Sequence, residues 1–109
     1  MIEVREYVTA AGIAPFIKWR DQLDAQTKSR ITVAVFRLSI GNFSAAKSVG
    51  AAVHELRLDF GPGYRVYFGK DREELIILLG GGTKKRQQLD IEAAKSLWIE
   101  YKKTKGNRG

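Results

Sequence analysis

The stretch Leu56-Arg57-Leu58-Asp59-Phe60-Gly61-Pro62-Gly63-Tyr64-Arg65-Val66-Tyr67-Phe68 reads as two β-strands joined by a tight turn, with an arginine on each strand. Apolar and polar residues alternate on both sides of the turn, the period of a strand with two unlike faces. Pro62-Gly63 fits the central pair of a type II turn, because proline presets φ and glycine accepts φ > 0 at the next position. With Gly61-Pro62-Gly63 as the loop, Phe60 faces Tyr64, Leu58 faces Val66 and Leu56 faces Phe68, and these side chains share the core face. On the other face Asp59 lies opposite Arg65 and Arg57 opposite Tyr67, with Glu55 towards the far end. Arg57 and Arg65 become diagonal neighbours within reach of one anion. A one-residue slip would turn both into the core, which their charge forbids.

Outward from this hairpin the period stays near two. The pattern predicts strands over 53–60 and 64–70, then a third over Leu75-Ile76-Ile77-Leu78-Leu79, reached by a turn at 70–73. The third is apolar on both faces, which suits a central or doubly covered strand. Gly80-Gly81-Gly82 end it and let the following chain approach the sheet. Upstream, Ile2 to Thr9 alternates as a strand, and Pro15 suits the first position of a helix. Asp24 is placed to cap a second helix with the stripe Ile31, Val35, Leu38, which closes near Gly41-Asn42. Downstream, Leu89, Ala93, Leu97 and Tyr101 mark a helix from about Gln88 to Lys103, with Ala94 and Trp98 beside the stripe. Phe16, Trp19, Phe36 and Trp98 sit at helical spacings facing a core. The expectation is an α+β fold: an N-terminal strand and helical hairpin, an antiparallel β-meander with helices on one face, and a C-terminal helix packed on the sheet.

The chain has 109 residues, room for one domain and one core, with about 102–109 read as a flexible basic tail. No window holds 18 consecutive apolar residues, so no membrane span or membrane partner is expected. MIEVREYVTA lacks the basic and apolar regions of a secretion signal, which fits a cytoplasmic protein. There are 0 cysteines and 1 histidine, His54, which argues against disulfides and metal centres; no cofactor is expected.

The charge is the stronger functional signal. Nineteen Lys and Arg against 12 Asp and Glu leave a formal +7, the footprint of a protein that meets phosphate or an acidic partner. Cross-strand pairs of Arg57 with Asp59 and Glu55, and of Arg65 with Asp59, account for part of it as a solvated face. The segment Gly82-Thr83-Lys84-Lys85-Arg86 weighs against that reading. Three successive cations arrive beside Arg57 and Arg65, and no comparable run of carboxylates lies nearby in sequence.

Residues 54–68 together with Leu75-Ile76-Ile77-Leu78-Leu79-Gly80-Gly81-Gly82-Thr83-Lys84-Lys85-Arg86-Gln87-Gln88-Leu89-Asp90 and the helix beyond resemble the RelE/ParE superfamily of bacterial type II toxins. Within it they are most similar to the HigB-like "addiction module killer protein" branch. The resemblance is most specific over 53–101. It implies a toxin silenced by a cognate antitoxin, often a helix-turn-helix, HigA-like protein. It also implies metal-independent cleavage of mRNA on the ribosome by basic side chains on an open sheet face. Arg57 and Arg65 match the basic positions of the central strands, and Lys84 and Arg86 match those after the last strand.

Such cleavage needs a base for the 2′-hydroxyl, cations for the phosphoryl charge and an acid for the leaving oxygen. Arginine suits stabilisation, and Lys84 or Lys85, crowded by cations, suits the base. Ribonuclease relatives place a tyrosine or histidine near the start of the last helix, where this chain has Asp90. Tyr67, on the arginines' face, and His54, nearby in sequence but in the core phase, are the other candidate acids or bases. Asp90 also reads as a helix N-cap. Lys85, Lys102 and Lys103, with Lys105 and Arg108, are candidate RNA-phosphate contacts. The missing acid leaves open a second function, inhibition of DNA gyrase by protein binding in the manner of ParE-type toxins. A third reading is a basic nucleic-acid binder that cleaves nothing.

Overall fold

The computed structural model describes residues 1–107. In chain order it contains β1 (Glu3–Glu6), α1 (Pro15–Asp21), α2 (Ala25–Ser39), β2 (Ala46–Gly50), β3 (Val53–Leu58), β4 (Tyr64–Asp71), β5 (Leu75–Thr83), a 3₁₀ turn (Lys84–Arg86) and α3 (Gln87–Asn107). The sheet has the order β1-β5-β4-β3-β2. From β3 to β5 it is the expected antiparallel meander, extended by an antiparallel β2, but β1 lies parallel to β5, with Glu3 opposite Leu75 and Glu6 opposite Leu78. The sheet is therefore mixed. The helical hairpin carries the chain from β1 to the far edge, and the meander walks back until β5 meets β1 running the same way. β2, absent from the expectation, is an edge strand with exposed Lys47 and Ser48. It has too little apolar alternation to announce itself.

Helices cover both faces, not one. Phe16 of α1 and Ile31 and Leu38 of α2 pack on Leu56, Leu58, Val66, Phe68, Ile76 and Leu78. On the opposite face Ile91, Ala94 and Trp98 of α3 pack on Val53, Tyr67, Ile77 and Leu79, with Tyr7. The doubly apolar β5 is the physical cause, since each side of it needs a cover. α3 turns Ile91, Ala94 and Trp98 inward, and Leu89 is exposed. Phe36 is exposed as well, because it lies roughly 140° around the helix from Ile31. Asp24 caps α2 as expected, accepting from the Thr27 N–H at 2.7 Å. α3 continues helically through Asn107 where a frayed tail from about 102 was expected; Arg108 lies outside the described residues. Among the described residues no helix is long and apolar enough to cross a membrane.

The hairpin register differs from the tightest-loop reading. Leu58 pairs with Tyr64, Leu56 with Val66 and Arg57 with Arg65. The Gly63 N–H donates to the Phe60 carbonyl at 3.1 Å, so Gly61-Pro62 form the centre of the turn instead of Pro62-Gly63. Phe60 leaves the ladder: its ring packs 5.2 Å from that of Tyr64, and the Arg30 guanidinium sits 4.5 Å over it. The displacement is one full pleat, so every side chain keeps its face. β5 runs on through the three glycines to Thr83. A β-carbon at Gly81 would collide with the Trp19 indole on one face, and one at Gly82 with the Asp90 carboxylate on the other. The glycines seat these two groups on the sheet; they do not end the strand.

Candidate functional site

The site grows from the end of the sheet where β4 begins and β5 finishes, on the side covered by α3. Adjacent strands set Arg57 opposite Arg65, and Arg65 opposite Gly82. The two arginines are thus direct cross-strand neighbours, closer than the diagonal arrangement expected. At the same corner the Lys84 N–H approaches the Pro62 carbonyl at 3.4 Å. Gly63 is wedged between the Arg65 guanidinium and the β-carbon of Lys84.

The arginines play different parts. Arg57 is exposed, with Nη2 3.8 Å from Asp59 Oδ1. Arg65 is only 5% exposed. Its Nη1 donates to the Gly63 carbonyl at 2.7 Å. Its Nε lies 3.1 Å from Glu55 Oε1, an ion pair without hydrogen-bond alignment. Glu55 is 0% exposed and also accepts from Gln87 Nε2 at 2.6 Å, while Lys47 Nζ stands 3.9 Å from its other oxygen. The expected Arg65–Asp59 pair is therefore replaced by a buried Glu55–Arg65 pair tied to the first residue of α3. The face carrying these groups is a second core at its centre and open only at its end.

Glu55 and Gln87 were not singled out from sequence as site residues. A signal existed for Glu55. It shares its strand phase with Val53, so that face could not be wholly solvated. Nothing local marks Gln87.

Asp90 is the fourth residue of α3, not its N-cap, because Lys84–Arg86 form a preceding 3₁₀ turn and the α-helix opens at Gln87. Its half-buried carboxylate lies over Gly82. Burial raises its pKa from the ordinary aspartate value, with the Arg86 charge opposing. With Glu55 it supplies the negative charge that no run of carboxylates in the sequence foretold.

Tyr67 shares this face but is 1% exposed, and its hydroxyl has no hydrogen-bond partner. Burial first, then Glu55 and Asp90, hold the phenol well above its ordinary value, against the pull of Arg65. It stays neutral and out of a ligand's reach. His54 belongs to the opposite face, stacked on Phe68 with ring centres 5.3 Å apart. Burial and then Lys70 depress its pKa. It is not part of the arginine cluster.

Lys84, Lys85 and Arg86 are all exposed. Lys102 and Lys103 are exposed too, but on α3 they stand about 24 Å along the helix axis from Arg86. The sheet end therefore carries Arg57, Lys84, Lys85 and Arg86 as accessible cations, with Arg86 acting on the Asp90 carboxyl and Arg65 buried among them as support. Chemically such a set can grip an oxyanion and pass a proton beside it.

No family model matches the chain. Over 83 residues it is 43% identical to a protein of Haemophilus influenzae (strain ATCC 51907 / DSM 11121 / KW20 / Rd) described as "Uncharacterized protein", an alignment covering 75% of this chain and 84% of the relative. The chain belongs to the same family as that Haemophilus influenzae protein.

Proposed function

We propose that this protein is the toxin of a bacterial type II toxin–antitoxin pair, of RelE/ParE type, and that it cleaves translated mRNA in the cytoplasm without a metal. The observation that carries the reading is the set of accessible cations, Arg57, Lys84, Lys85 and Arg86, at one sheet end beside a half-buried carboxyl raised by burial. The resemblance of residues 53–101 to such toxins points the same way.

In the proposed reaction one of Lys84 and Lys85, acting in its unprotonated amine form while the other stays charged, takes the proton of a ribose 2′-hydroxyl, whose oxygen attacks the adjacent phosphorus. The bond from phosphorus to the 5′-oxygen breaks, leaving a 2′,3′-cyclic phosphate, and an acid returns a proton to that 5′-oxygen. Arg57 and Arg86 balance the charge gathered on the phosphoryl oxygens. Asp90 is the acid of choice, since Tyr67 is sealed in the core and His54 lies on the other face. Arg65 orders the site from beneath. A helix-turn-helix antitoxin would silence the activity, and the ribosome would present the message.

The test is brief induction without antitoxin, with new RNA 5′ ends mapped by primer extension beside a Lys84→Ala/Arg86→Ala variant. Both positions are exposed, so the variant keeps its fold. Cuts within translated messages that vanish in the variant support the reading. Growth arrest with intact messages would refute cleavage and redirect attention to a protein target, DNA gyrase first.

A further inference from the structure

α2 carries two apolar stripes, and the fold uses one. Ile31 and Leu38 enter the core, whereas Val33, Phe36 and Ile40 at its end, spaced three and four apart, are 50%, 54% and 57% exposed. Such spacing makes one continuous ridge on a helix. Arg30 and Arg37 line its flank. Beyond them a groove of about 520 Å³ opens between α2 and the end of β3, floored by Leu56, Leu58 and Phe60. α2 has Lys28, Arg30 and Arg37 and no Asp or Glu. The one carboxylate lining the groove, Asp59, already faces Arg57 at 3.8 Å.

We infer that this surface docks an acidic amphipathic segment of another protein. Its apolar side chains would cover Val33 and Phe36 and enter the groove, and its carboxylates would meet Arg30 and Arg37. Charge decides between the occupants. A second copy packed α2 against α2 would bring four arginines together with no acid on either helix, and like charges in close apposition cost affinity. A nucleic acid would satisfy the arginines but leave the apolar ridge wet. Only a partner that is both acidic and apolar matches the two features. None of Lys84, Lys85 and Arg86 lines the groove, whereas Arg57 of the cation cluster does; the inference therefore rests on Val33, Phe36, Arg30 and Arg37, which the cleavage reading does not use.

The probe is a fluorescein-labelled, acetylated peptide of about 18 residues built from Leu, Ala and Glu, with leucines at helical i, i+3, i+4, i+7 spacing. Its binding is followed by anisotropy against the native protein. Saturable binding is expected, weakened at least about tenfold by Phe36→Asp and by Arg30→Glu/Arg37→Glu, and unaltered by Lys84→Ala/Arg86→Ala. Circular dichroism melts check that each variant folds. Absence of saturable binding overturns the inference. So does equal weakening by Lys84→Ala/Arg86→Ala, which would reduce it to non-specific attraction. A free protein that sediments as a dimer and is dissociated by Phe36→Asp would assign the ridge to a second copy instead, and also overturns it.

Discussion

Replacing Arg65 by alanine should damage the fold before it tells anything about chemistry. The perturbation removes the charge beside Glu55, which is 0% exposed, while Arg65 itself is 5% exposed. Glu55 would keep the Gln87 amide at 2.6 Å and the surface cation of Lys47 at 3.9 Å, and would lose the guanidinium at 3.1 Å. Removing one partner of a buried ion pair costs about 3–5 kcal/mol, out of roughly 5–15 kcal/mol for a domain of this size. Taking out both charges in Glu55→Leu/Arg65→Met should cost less, because no buried charge is orphaned; the remaining losses are the hydrogen bonds of Glu55 with Gln87 and of Arg65 with the Gly63 carbonyl, about 1 kcal/mol each. Urea unfolding followed by far-ultraviolet circular dichroism, over the two single variants and the double, measures the coupling. The expected coupling exceeds about 2 kcal/mol. A coupling below about 0.5 kcal/mol, with Arg65→Ala near wild-type stability, would refute the buried-pair argument. An inactive Arg65→Ala is accordingly no proof that Arg65 touches substrate; Lys84 and Arg86 are the residues that test it.

Two further predictions concern the same scaffold. Ala51 and Ala52 join β2 to β3 with φ of 55° and 64°, a left-handed pair suited to Asn-Gly; Ala51→Asn/Ala52→Gly should stabilise by about 1–2 kcal/mol, raising Tm by several degrees in calorimetry, and an unchanged or lower Tm would count against that turn. Asp71 accepts from Lys105 Nζ and from the Tyr101 hydroxyl, each at 2.6 Å, contacts that hold its carboxyl below the ordinary 3.8, Lys105 first. The folded state thus favours the ionised form, so this stabilisation is present above the unfolded value and lost as pH falls through the lowered folded one. Denaturation midpoints of wild type and Asp71→Asn should converge on acidification through that window; a gap that does not change with pH would contradict the assignment.

Much of this protein is local physics. The alternation around Phe60-Gly61-Pro62-Gly63 placed β3 and β4 and assigned the faces of Arg57, Arg65 and Tyr67. Those assignments survived a register displaced by a full pleat, because a two-residue shift preserves the pleat's parity. Asp24, Pro15 and Gly41 bounded the helical hairpin for the same reason, since caps and breakers act within a turn of where they stand. Other features depended on groups that meet only when the chain closes. Parallel pairing of β1 with β5 joins segments some seventy residues apart in sequence, and no periodicity encodes it. Burial of Glu55 and Arg65 beneath Gln87 turned an apparent pair of free arginines into one support and one exposed cation. The seat of Asp90 over Gly82 was likewise invisible. It requires the first turn of α3 to fold back over the end of β5, so that a helix carboxylate and a strand glycine share one site. Sequence determined which residue types were on offer and which way each strand turned them; their neighbours, and hence their charge balance and access to solvent, were decided by tertiary packing, because desolvation and ion pairing depend on distance through space.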